Sequence, residues 1–355
     1  MNLLLKDYLA EQVVPIANRL DSDAKRLFKA FHELGDRALL TPKLPQALGG
    51  LDLDTLAFWK FQALVAQHSG AIAFLQTQHQ SAASLILAGQ NQALAQNYLP
   101  AMSSGAKRVG VGFSQLRKQP APLTAQRVSN GYRLSGKVPW VSGAGLFAEF
   151  VGAAELPEGS AIFGLLPLTN SETMQVSKPM ALLGLSSTST VSLSVNDHFL
   201  SDEQVVATKP KGWIQSRDRT NPLSPLGLIL GCAQAGLDIA TQGLSKRQIE
   251  HPLLAQLQAQ IQQTWLELPS THALPIEAYD RKVALRGQAI ALMNTCAQTA
   301  ILSSSGAANM TNHPAQRVYK EALVFSVSGQ SNGSAIASLD ALLPRQKTNQ
   351  AKDKP

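Results

Sequence analysis

Apolar residues recur at three- and four-residue steps in Leu27–Phe28–Phe31–Leu34 and Leu56–Trp59–Leu64, which predicts helices from Leu3 to about Pro100. Thr41–Pro42, Pro45 and Gly49–Gly50 interrupt the pattern with a turn-rich loop, and Ser103–Ser104–Gly105 closes it. Short alternating runs then predict strands at Arg108–Phe113, Thr124–Val128, Tyr132–Leu134, Glu149–Ala153, Ala161–Leu166 and Thr190–Val195. Asn130–Gly131 sits between two of them as a hairpin signal. From Asn221 the helical period returns and runs almost to Leu343. Asn221–Pro222 reads as cap and first residue of a long helix, Leu226 to Arg247, whose Gly- and Ala-rich face permits close packing. Pro269, Pro275 and Pro314 punctuate the remaining helical stretch, and the polar segment Gln346–Pro355 is expected to be disordered. A helical block, a β block and a second helical block are segregated units and not an alternating βαβ chain. The expected division is 1–105, 106–215, 216–345 and the tail 346–355, an α+β multidomain architecture.

Composition narrows the function. The chain has 355 residues and a formal charge of +7, but charged residues are only 15 % of it and the basic ones are scattered. That distribution argues against a nucleic-acid surface and suits an anionic small molecule. Cys232 and Cys296 sit among Ala, Gly and Gln in helical stretches, which reads as buried free thiols and a reducing compartment. The N-terminus carries acids and no small-residue cleavage site, and no run reaches the length of a membrane span, so a cytoplasmic protein is expected. His68, His198 and His251 stand singly without metal-ligand spacing, and no metal site is proposed. His79 falls on a helix facing the expected substrate side. Gly110–Val111–Gly112 lacks the third glycine and the βαβ setting of a dinucleotide fingerprint.

Five segments taken in order resemble the acyl-CoA dehydrogenase family. They are HELGDRALLTPKLPQALGG with the helix after it, YLPAMSSGAKRVGVGFSQ, NGYRLSGKVPWVSGAGLFAEFVGAAE, GLSKRQIEHPLLAQLQ, and the stretch from Ser303 to Leu339. The resemblance implies an N-terminal helical domain, a middle antiparallel β-barrel and a C-terminal four-helix bundle. It also implies FAD as cofactor. Trp140 and Ser142 match the residues against the isoalloxazine ring, with the hydroxyl at N5; Phe113, Ser114 and Gln115 match the strand end at the flavin's pyrimidine edge. Arg247 matches an arginine that reaches a neighbouring subunit's pyrophosphate, Ser305–Gly306 the adenine half, and Ser331 a phosphate contact. Each role has a physical basis, since a hydroxyl can donate to or accept from a redox-changing nitrogen and a guanidinium fork fits phosphate. A strand Trp, an Arg at a helix C-terminus and a serine-rich turn also have ordinary structural explanations. Arg317, four residues before Glu321, reads as a helix-surface ion pair.

The departures fall on the chemistry. The family's dehydrogenation removes an α-proton with a glutamate while hydride leaves for the flavin. The two places where that glutamate occurs align with Gly329, in the turn Ser328–Gly329–Gln330–Ser331, and with Asn221. Asp218 is the remaining nearby acid, expected in a loop. Glu250 and Leu302 replace an aromatic and a glutamine that usually attend the cofactor. The expected activity is FAD-dependent α,β-dehydrogenation of an acyl thioester with the base unidentified. A two-component flavin-dependent monooxygenase, or a non-catalytic member of the family, would explain Gly329 instead. The expected partners are a small-molecule substrate, an electron-transfer protein or flavin reductase, and further copies of the chain in a homodimer or homotetramer.

Overall fold

A computed structural model describes residues 3–342; the tail expected at 346–355 lies outside the described residues. Helices α1 (Leu3–Tyr8), α2 (Ala17–Leu20), α3 (Ala24–Gly35), α4 (Thr55–His68), α5 (Gly70–Leu87) and α6 (Gln92–Ser103) come first. The starts of α3 to α6 are marked by Asp23, Asp54, Ser69 and Asn91, whose side chains accept a backbone N–H from the first turn. Each satisfies one of the donors that a helix start leaves open. Among the described residues no helix is long and apolar enough to cross a membrane.

Strands come next: β1 (Val109–Gly112), β2 (Leu123–Val128), β3 (Gly131–Val141), β4 (Glu149–Glu155), β5 (Ala161–Pro167), β6 (Met174–Val176), β7 (Val191–Ser201) and β8 (Val205–Lys209). They form one sheet in the order β6-β7-β3-β2-β4-β5-β8, with β1 parallel to β4. The expected closed antiparallel barrel is therefore corrected to an open, mixed sheet. Alternation shows which face a residue takes but not which strand lies beside it. Here β4 lies antiparallel to β5 on one edge and takes β1 and the start of β2 in parallel on the other. The short strands β6 and β8 were missed. The β8 edge is covered by the α5–α6 turn, where Gln90 N–H and Asn91 Nδ2 donate to the carbonyls of Val206 and Val205.

The hairpin signal is right in place and shifted by one residue. Asn130, with φ 59°, takes the left-handed position, while Gly131 already pairs with Val128. Gly131 is needed for closeness, because a Cβ there would lie 2.3 Å from the Leu200 carbonyl oxygen on β7.

The last part contains α7 (Trp213–Thr220), α8 (Leu226–Lys246), α9 (Pro252–Ala273), α10 (Tyr279–Ser304), α11 (Pro314–Val327) and α12 (Asn332–Asp340). Asn221 does not begin the long helix. It caps the end of α7, which was missed, and Asp218 lies on that helix and not in a loop. Pro269 sits inside α9 without ending it. The small-residue face of α8 packs as expected: a Cβ at Gly231 would lie 2.3 Å from the Ala63 carbonyl oxygen, and one at Gly236 2.8 Å from the Cys296 backbone. The paired approaches of Gly236 to Cys296 and Gly243 to Ser303 show that α8 and α10 run parallel. Both cysteines are buried free thiols, and burial pushes Cys296 up to about 12.

Two buried polar groups replace expected surface ones. Arg317 and Glu321 form an ion pair of 2.9 Å with side chains 7 % and 0 % exposed, so the surface reading is corrected. Glu321 also accepts the Gly70 N–H at 2.9 Å, joining α11 to the start of α5. Burial pushes its carboxyl up, against the Arg317 charge and the Gly70 N–H, which favour the anion. His79 is fully buried, with Nδ1 by the Val109 backbone and Nε2 by the Met102 carbonyl, and so does not face a substrate.

Burial holds His79 below its ordinary value, as it does His32, His68, His198 and His272. A depressed imidazole takes up its proton more readily in the unfolded chain, so its contribution is complete above about pH 6.5 and lost as pH falls below it. Unfolding midpoints are therefore expected to fall between pH 7 and 5, with a shallower slope in His79→Gln. An unchanged slope in that variant would contradict the assignment to His79.

Candidate active site

A cleft of about 740 Å³ opens between the sheet, the helices α4 and α5, and the starts of α8 and α10. Its sheet wall is shaped by Pro139. Proline has no N–H for the ladder, and the β3–β7 register shifts between Val138 and Val141. The bulge turns Trp140 outward, 52 % exposed, onto the cleft. Ser142, just past the strand, is buried, and its Oγ lies 2.7 Å from Thr190 Oγ1. Thr190 Oγ1 is in turn 3.3 Å from Thr188 Oγ1, which donates to the Leu185 carbonyl at 2.8 Å.

This hydroxyl chain has two polarities. With Ser142 donating inward, Thr190 donates on to Thr188 and the Ser142 oxygen accepts from the cleft; with Thr190 donating to Ser142, the Thr188–Thr190 bond is given up and the Ser142 O–H is free to donate into the cleft. The loop that carries it is strained, since Leu185 and Ser189 have φ of 54° and 48°. Asp21 holds the loop by accepting the Leu185 N–H at 2.8 Å, and Lys320 on α11 pairs with the same carboxylate at 2.8 Å.

The opposite side is built around a cation absent from the sequence reading. Arg286, 2 % exposed on α10, donates to the carbonyls of Pro222 at 3.2 Å, Ser328 at 2.7 Å and Gly329 at 3.1 Å. It ties together the two turns where a family glutamate would sit, and complements the carbonyl end of α11. Desolvation lowers it to about 10.

Of the site residues expected from the sequence, the cleft brings together Phe113, Ser114, Trp140, Ser142, Asn221 and Gly329. It does not bring in the others. Gln115 is buried, with Nε2 donating to the carbonyls of Gly112 and Ala153. Asp218 spends both oxygens on Arg117, at 2.7 and 2.8 Å. Ser331 caps α12 by accepting the Ser334 N–H. Arg247, Ser305 and Gly306 lie at the far ends of α8 and α10, about 30 to 40 Å from the ends at the cleft by helix rise.

The electrostatics are one-sided. Lys43, Arg117, Arg217, Lys282 and His272 line the cleft, and no Asp or Glu does among the described residues. Arg217 lies over the Phe113 and Trp213 rings, 5.4 and 5.7 Å from their centroids. Gln62 donates to Thr77 Oγ1 at 2.7 Å, while its buried Oε1 has no partner. Sequence reasoning missed these groups, although Lys282 and Arg286 sit four residues apart on one helix face among Val283, Ala284 and Leu285.

The family described as the acyl-CoA dehydrogenase N-terminal domain matches residues 4–106. A glutaryl-coenzyme A dehydrogenase in complex with glutaryl-CoA superposes with a TM-score of 0.76 at 20 % identity, covering 95 % of this chain and 92 % of that one. The chain has the acyl-CoA dehydrogenase fold. Butyryl-CoA dehydrogenase from Megasphaera elsdenii gives 0.76 at 16 % identity over 97 % and 99 % of the two chains. KijD3, solved with FMN and a dTDP-linked amino keto sugar, gives 0.74 at 19 % over 96 % and 91 %. No curated protein matches by sequence. The resemblance to the acyl-CoA dehydrogenases read from the sequence is thus borne out by the match to the first helices and by the fold of the whole chain.

Proposed function

We propose that the cleft binds a flavin against Trp140 and Ser142 and that the protein is a flavin-dependent oxidoreductase acting on an acyl thioester. The observation that carries this reading is the exposed indole of Trp140 beside the reversible Ser142–Thr190 hydroxyl pair. The fit is chemical as well as spatial. Trp140 offers an aromatic face, the hydroxyl chain can donate or accept, and the unpartnered Gln62 oxygen and the acid-free cationic lining suit a polar, anionic ligand. Bound flavin would supply the hydride chemistry. The chain's own residues orient it and exclude water, with Ser142 serving a nitrogen whose hydrogen-bonding sense changes with redox state. FAD is the flavin inferred from the family resemblance.

The missing carboxylate supports a second reading. Without an acid in the cleft, Gly329 and Asn221 offer no base for an α-proton, whereas oxygenation by reduced flavin needs none. One neighbour of this fold is solved with FMN and a sugar nucleotide, so the fold is not confined to thioester ligands.

The remote positions support assembly. Arg247, Ser305 and Gly306 cannot serve the Trp140 end of the same cleft, but their end of the molecule exposes Leu302 and Met310 at 67 % and 60 %. A homodimer or homotetramer would place them against a neighbour's cofactor.

Thr190→Val tests the hydroxyl chain. It removes the hydrogen bond to Ser142, worth about 0.5–1.5 kcal/mol, and a two-electron couple converts 1.4 kcal/mol into about 30 mV. The flavin midpoint potential is therefore expected to move by about 10–30 mV. An unmoved potential would contradict the contact of Ser142 with the ring.

A further inference from the structure

One end of the cleft, where α4 meets the turn between α9 and α10, gathers positive charge with no carboxylate lining it among the described residues. Lys282, near the start of α10, is 6 % exposed and lines the cleft. Among the described residues it makes no ion pair and no side-chain hydrogen bond. Lys43, in the loop before α4, lies over the Phe58 ring at 5.6 Å and donates to Thr55 Oγ1 at 3.3 Å. His272, in the last turn of α9, stands edge-on to Trp59 with centroids 5.0 Å apart. Burial, then the charges of Lys282 and Lys43, hold this imidazole below its ordinary value, so both ammonium groups act on the one ring. The acid that acts on Lys43 is Asp54, which is already engaged in capping α4.

The stem of Lys282 is buried while its ammonium still reaches the open cleft. It stands beside a second cation and a half-buried imidazole, in a cleft that no carboxylate lines among the described residues. The arrangement makes sense when a ligand supplies the missing negative charge.

We propose that this end of the cleft binds an oxyanion of the substrate, a carboxylate or a phosphate group, with Lys282 and Lys43 as counter-charges and His272 as an N–H donor. The inference rests on the cleft being the substrate site and does not depend on flavin chemistry. It makes these residues specificity-determining. A substrate analogue lacking the anionic group leaves Lys282 unpaired and loses affinity by about tenfold or more, because a site built for a polar group rejects a ligand without it.

The test uses the full chain, with thermal melting and histidine NMR in succinate, inorganic phosphate, or potassium chloride at matched ionic strength. The native protein is expected to melt higher with at least one oxyanion than with chloride, and His272 to titrate at higher pH in its presence. Lys282→Met should lose about tenfold or more in oxyanion affinity. Lys43→Met, at a half-buried loop position, should weaken the same response. A response to succinate alone assigns a carboxylate, to phosphate alone a phosphate, and to both a general oxyanion site; each sustains the proposal. No response beyond chloride, or a response that survives both substitutions, would overturn it. Flavin content is read separately by colour. A colourless protein that responds ends the flavin reading alone, and a yellow protein that does not respond ends this one alone.

Discussion

The Gly329→Glu variant is expected to bleach its flavin with acyl-CoA thioesters about 100- to 10,000-fold faster than the native chain, the range a positioned general base contributes. The native cleft has no lining Asp or Glu among the described residues, and Asp218 is held by Arg117. Position 329 has room for the missing group, since a Cβ there meets nothing nearer than Pro225 Cγ at 4.0 Å. Its φ of 59° is the left-handed region, so a side chain costs about 1–2 kcal/mol there. Arg286, which donates to the Gly329 carbonyl, resists displacement of the turn. Anaerobic stopped-flow absorbance measures the rates. A native chain already as fast as the variant would show that another group takes the proton, and the reading of Gly329 as a vacated base position would fail.

Removing the buried cation beneath α5 has the largest expected effect on stability. Arg317→Met leaves Glu321, fully buried, without its counter-charge and is expected to cost about 3–5 kcal/mol in denaturant unfolding. Glu321 keeps only the Gly70 N–H and is pushed further toward its neutral form. Replacing both residues by methionine should recover most of the loss, because it removes the uncompensated charge together with its partner. A single-variant loss below about 1 kcal/mol, the scale of an exposed pair, would contradict the burial of this bridge.

The parts of the fold that were legible in the sequence are those set by local periodicity. The long helix α8 was placed within a residue of its observed end, and its glycines were read as packing surfaces, because both features are written in neighbouring residues. The parts that were missed depend on what lies opposite. Alternation at Val109–Gly112 could not announce a parallel partner in β4, and the antiparallel barrel was inferred in its place. Short α7 carries Arg217 and Asp218 between two turn signals, which read as a loop. Arg317 and Glu321 have the spacing of a surface pair, and only the tertiary fold buries them.

The candidate site divides in the same way. Trp140, Ser142 and Phe113 fall within the continuous segments that carry the family resemblance, and they meet in one cleft. Lys43, His272 and Lys282 come from three separate elements, so their convergence is a property of the fold and not of any motif. Arg286 was the most readable omission, an arginine within a long helical stretch with no acid at helical spacing beside it.

The absorption spectrum of the purified protein, before and after addition of FAD or FMN, tests the account most directly. A stoichiometric flavin band is expected, whose position shifts in Trp140→Ala as the ring loses its neighbour. A protein that is colourless as purified and takes up neither flavin at micromolar concentration would contradict it.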